Sequence, residues 1–139
     1  MIRVYEHLPL IQSLLDRYGI PSKCFELTPD VQAWCRERGV PERNSTRAAK
    51  CFCFADPESC HIVVREEQTA AMIRSAKALM VLDGFEVEVA RLDTNESYLT
   101  HLVLHEIACF VLQSTDQRVR DEWAFSELAK NAIEQNSNS

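Results

Sequence analysis

From about Ser97 to Leu112 the chain is apolar on nearly every face of a helix: Tyr98, Leu99, Leu102, Val103, Leu104, Ile107, Ala108, Phe110 and Val111. A helix apolar all round cannot sit at a surface, so this segment predicts a central, buried helix around which the remainder packs. The preceding Asp93-Thr94-Asn95-Glu96 offers an N-cap followed by an early acid. Into this run the sequence places His105, Glu106 and Cys109. Burying an ionisable group costs free energy unless it is paired or bound to a metal, so these positions call for a compensating partner.

The other segments predict smaller elements. Leu10, Ile11, Leu14, Leu15 and Tyr18 form a helical stripe over about 8–18, closed by Gly19 and Pro21. A short helix is expected from Thr28 as cap, with Pro29 in its first turn, Val31, Trp34 and Cys35 buried, and Gly39 as its stop. Residues 50–54 and 60–65, joined by Ala55-Asp56-Pro57-Glu58-Ser59, read as a hairpin. A third helix is expected over about 67–82. The alternation of Phe85, Val87 and Val89 with Glu86 and Glu88 predicts a half-buried strand. A last helix covers about 119–133. The order helix, helix, hairpin, helix, strand, helix, helix defines an α+β domain with a small sheet over 1–134, and the polar residues 135–139 read as a disordered tail.

The net charge is −6 and the isoelectric point about 5.2. Arg36, Arg38, Arg43 and Arg47 are dispersed among acids and turn residues, so nucleic acid is not an expected partner. The first residues lack the pattern of a signal peptide, and no uninterrupted apolar run reaches the ~18 residues of a membrane span. The cytoplasm is the expected compartment. There the six cysteines, at 24, 35, 51, 53, 60 and 109, are expected as thiols. Cys51, Cys53, Cys60 and His61 lack the usual zinc-knuckle spacing and read first as buried residues.

His105 and Cys109 are four apart and lie on one helix face, so both can reach one metal ion. Imidazole nitrogen and thiolate sulfur are both zinc ligands. Glu106 projects to the side, where a carboxylate can take a proton from a metal-bound water. The plainer alternatives are a hydrogen-bonded His105 and a packed Cys109 in the core, with Glu106 paired to a basic side chain. His101, one turn before His105, is expected to face polar groups near the helix start. A metal held by His101 and His105, or a Cys109 nucleophile with His105 as its base, are further alternatives.

The stretch His105-Glu106-Ile107-Ala108-Cys109, preceded by Leu102-Val103-Leu104, resembles the HExxH active-site helix of the zincin-type metallopeptidases, and most nearly the small ImmA/IrrE-like members. Asp121-Glu122-Trp123-Ala124-Phe125 resembles the following helix of that family, and the likeness spans roughly residues 60–130. It implies His105 as first zinc ligand and Glu106 as general base. The second histidine position holds Cys109. The third ligand position falls on Val119, so a neighbouring carboxylate would substitute: Asp121 first, or Asp116, Glu122 or Glu127.

Two functions follow from the resemblance. One is a zinc-dependent peptide hydrolase using His105, Cys109 and Asp121 for metal and Glu106 for water. The other is a non-catalytic form of the same fold that binds a protein partner as a regulatory module. A third reading makes Cys109 a redox-sensitive zinc ligand. Oligomeric state is left open.

Overall fold

The computed structural model describes residues 1–39, 49–52, 61–114 and 116–137, without the side chains of 49–52 and 132–137. It is an α+β domain. Two strands, β1 (Ile2–Arg3) and β5 (Glu67–Gln68), pair antiparallel. A separate sheet has the order β2-β4-β3, from β2 (Phe25–Thr28), β3 (Ala49–Phe52) and β4 (His61–Arg65). In it β2 runs parallel to β4, and β3 runs antiparallel. The helices are α1 (Leu8–Arg17), α2 (Val31–Glu37), α3 (Ala70–Leu82), α4 (Glu86–Val89), α5 (Asn95–Leu112) and α6 (Gln117–Ser137).

Strand β4 shows why the sheet needs helices on both sides. Ile62, Val63 and Val64 are all fully buried. Successive strand side chains point to opposite faces, so both faces must be covered. Ile62 and Val64 join the main core with α1 and α5, while Val63 packs with Val31, Trp34 and Cys35 of α2. The main core is centred on α5, whose Leu99, Val103, Leu104 and Ile107 are fully buried. Each such side chain contributes about 1.5–3 kcal/mol of burial free energy.

The expected central helix is therefore present, and it starts at a capping box. Ser97 N donates to Thr94 Oγ1 at 3.0 Å, and Thr94 N donates to Ser97 Oγ at 3.1 Å. We expect Thr94→Ala to lower stability by about 1 kcal/mol, read as a lower urea midpoint with an unchanged slope.

The hairpin expected from 50–65 is realised in the pairing of β3 with β4, while its turn, with Cys53 and Cys60, lies outside the described residues. Three local expectations are corrected. Residues 86–89 form the helical turn α4, with Phe85 as its N-cap, and not a strand. In a strand Phe85, Val87 and Val89 would share one face; here Phe85 and Val89 pack on the core, Val89 N donates to Phe85 O at 2.9 Å, and Val87 is exposed. Thr28 ends β2 and does not cap α2; Asp30 is the cap, its Oδ1 accepting from Ala33 N at 3.1 Å. Glu67 belongs to β5, and α3 begins after Thr69, whose hydroxyl accepts from Met72 N. The last helix also runs to Ser137, three residues into the expected tail. Among the described residues no helix is long and apolar enough to cross a membrane.

Candidate functional site

Helices α5 and α6 are joined by a short connection and pack against each other. The reversal begins at Gln113, which takes a left-handed conformation with φ 51°. Asp116 then caps α6, its Oδ1 accepting from Arg118 N at 2.9 Å and Val119 N at 3.3 Å. Arg120 ties the connection down, its Nε donating to Ser114 O at 2.6 Å. The first turns of α6 are thus held over the second half of α5.

Two pairs four residues apart meet there, His101 and His105 on α5, and Gln117 and Asp121 on α6. Such spacing places each pair on one helix face. His105 Nδ1 lies 2.7 Å from Asp121 Oδ1, and His105 Nε2 lies 2.7 Å from Gln117 Oε1. An imidazole with an acceptor at each nitrogen is satisfied when both carry protons. Burial acts to lower the His105 pKa, but the Asp121 hydrogen bond and the charges of Glu106 and Asp121 outweigh it, and the net direction is upward. These contacts favour the charged form of the part-buried His105 beside Asp121.

His101 meets the same oxygen differently. Its Nε2 is 3.5 Å from Asp121 Oδ1 and makes no hydrogen bond, and its ring packs on Phe125 at a centroid distance of 4.2 Å. The residue is 3% exposed. Burial, partly countered by Asp121, lowers its pKa to about 4. The contact is close enough for an ion pair, but at neutral pH His101 carries no charge to make one. One carboxylate thus faces two histidines and binds the proton of only one.

Sequence reasoning placed His105 and Asp121 in one site, and the structure brings them into contact. Of the four carboxylates considered, Asp121 alone faces His105; Asp116 caps α6, Glu122 is exposed and Glu127 lies 3.5 Å from Lys130. Val119, at the position matched to the third ligand, is exposed. Glu106 is buried, at 5% exposure, and Cys109 is a buried thiol one turn beyond His105. Gln117 was missed, although its four-residue spacing from Asp121 was a signal in the sequence, whereas His101, expected to face polar groups one turn before His105, faces Asp121.

Do these residues fit zinc? Ligand atoms on a tetrahedral zinc stand ~2.0–2.3 Å from the ion. The His105–Asp121 contact is a direct hydrogen bond, too short to admit an ion between its atoms. The other His105 nitrogen is bonded to Gln117. As arranged, His105 offers no ring nitrogen to a metal, and among the described residues no three His, Cys, Asp or Glu side chains are grouped to hold one. The hairpin group keeps only His61 among described side chains; it stacks on Trp34 and lies 4.0 Å from Glu26.

A scan against protein-family models gave no match, and searches of curated proteins and of solved structures gave none either.

Proposed function

We propose that the chain is a non-catalytic counterpart of the zincin-type metallopeptidase domains it resembles, acting in the cytoplasm as a protein-binding regulatory module. The observation that carries this reading is the state of His105. The residue matched to the first zinc ligand spends both ring nitrogens on Asp121 and Gln117. Two further features support it. The position matched to the third ligand is Val119, which has no donor atom. Glu106, matched to the general base, is buried within α5, whereas a hydrolytic base needs a water and a substrate beside it. The buried polar residues then act as a clamp that fixes α6 on α5, and function passes to the surface.

The test is metal content and activity together. Protein purified and then saturated with zinc should retain well under one ion per chain after desalting, cleave no unfolded protein substrate, and keep any cellular effect when Glu106→Gln is introduced. About one zinc per chain, with proteolysis abolished by Glu106→Gln and the fold intact, would instead establish the hydrolase.

A further inference from the structure

Arg65 ends β4, paired with Thr28 of β2, and Met72 stands in the first turn of α3. Two hydrogen bonds fix the chain between them. Gln68, fully buried, donates from Nε2 to Arg65 O at 2.9 Å, and Met72 N donates to the hydroxyl of the Thr69 cap at 3.2 Å. The backbone of both residues is therefore held, and their side chains meet. Arg65 Nη1 donates to Met72 Sδ at 3.3 Å.

That acceptor is a poor one. A guanidinium carries several N–H donors and a full charge, whereas a thioether sulfur accepts only weakly. Both residues are half-buried, and among the described residues no carboxylate lies within ion-pair distance of Arg65. Arg65 is a partly desolvated cation short of acceptors, and the neighbouring atom that simple chemistry converts into a strong acceptor is the sulfur itself. Oxidation of a thioether gives a sulfoxide, and the hydrogen bond from a guanidinium to its polar oxygen is charge-assisted, about twice as strong as a neutral one. The methionine side chain is flexible enough to turn that oxygen to the guanidinium. Of the three methionines, Met80 is buried in the main core and Met1 is 65% exposed; among the described residues only Met72 has a cation bonded to its sulfur.

We propose that Met72 is a reversible oxidation site whose sulfoxide is received by Arg65, so that hydrogen peroxide tightens the joint between β4 and α3. The sulfur lone pair attacks one peroxide oxygen as the O–O bond breaks. The S–O bond forms, the sulfur is oxidised by one electron pair, and the second oxygen takes the proton of the first and leaves as water. A dithiol, through a sulfoxide reductase, returns the electron pair and releases the oxygen as water. Methionine oxidation ordinarily disrupts packing by placing a polar group among apolar ones; beside Arg65 the new group gains a partner. The site lies apart from the α5–α6 clamp and stands whether or not that clamp binds metal.

Treatment of the folded full chain with hydrogen peroxide, followed by dithiothreitol to return any disulfides to thiols, tests this by peptide mapping and melting together. The expected result is one added oxygen on Met72 with Met80 unreacted, and a melting temperature about 2–4 °C above that of the untreated protein. A sulfoxide reductase should reverse both. Met72→Leu, close in volume but without sulfur, should show no rise. In Arg65→Leu the same oxidation should lower the melting temperature, because the sulfoxide then lies part-buried without its cation. Met72 left unreacted in the folded protein, or oxidised with no rise in melting temperature, overturns the proposal. So does a rise that persists in Met72→Leu or in Arg65→Leu.

Discussion

Asp121→Asn is expected to destabilise the protein by about 3–5 kcal/mol near pH 6, the cost of breaking a buried ion pair from one side. The substitution keeps the shape of the side chain, so its contacts with His101 and His105 of α5 are little changed in shape. What is lost is the negative charge facing His105. The imidazolium must then remain unneutralised in a mostly buried site or release its proton, and either course removes the free energy that raised its pKa. The sign with pH follows. A histidine whose folded pKa is raised contributes stability that is full below its unfolded value of ~6.5 and disappears as pH rises through the folded value. The difference between wild type and Asp121→Asn should therefore narrow in alkaline solution. Urea denaturation at mildly acid and alkaline pH measures it. A penalty that is equal at both pH values would mean that Asp121 acts through packing alone. His105→Gln should cost less than Asp121→Asn and, combined with it, add little, because the two residues share one interaction.

The second large effect concerns His101. Burial holds its pKa at about 4, so the folded protein refuses a proton that the unfolded chain accepts below ~6.5. Where the unfolded state binds more protons, stability falls as pH falls. The loss begins near pH 6.5, grows towards the folded pKa and levels off below it. It amounts to about 3 kcal/mol, because each tenfold difference in proton affinity between folded and unfolded chain is worth ~1.36 kcal/mol. His101→Gln removes the titrating group and should flatten this acid limb while leaving the alkaline limb, which belongs to His105. The two histidines on one helix face thus set opposite sides of a stability maximum around one carboxylate. Thermal or urea midpoints measured from about pH 4 to 9 for wild type and His101→Gln separate them. An acid limb unchanged in the variant would place its origin elsewhere.

How much of this was legible depends on how each element signals itself. Helices α1, α5 and α6 carry long stretches of helical periodicity or uniform apolarity, and their existence and approximate extents follow directly from sequence. Strand β2 is four residues, Phe25-Glu26-Leu27-Thr28, between two turn-prone segments. Its place is set by pairing with β4, which no local pattern reveals. Helix α4 is the reverse case. Its alternating Val and Glu satisfy the strand period, but over four residues the helical and strand periods share too many positions to be told apart.

The site divides in the same way. That His105, Glu106 and Cys109 needed compensation was readable from their setting in an apolar helix, and Asp121 was readable as a partner from the following helix. The kind of compensation was not. An imidazole beside a carboxylate serves equally as a metal site or as an ion pair, and the deciding residue was Gln117, an amide that carries no charge. It also lies two residues before the position where the helical pattern was expected to begin. His101 was expected to face polar groups, and it does face the Asp121 carboxylate, but its depth was not legible because it depends on α6 covering the second turn of α5.

The most direct measurement of the account is the protonation of the His105 ring by long-range proton–nitrogen NMR at neutral pH, with zinc added in excess. The prediction is that both nitrogens report as protonated and neither shifts on adding zinc, while the signals revert to ordinary neutral imidazole in Asp121→Asn. A His105 nitrogen that loses its proton and moves to a metal-bound position as zinc is added would contradict the account and return the site to zinc chemistry.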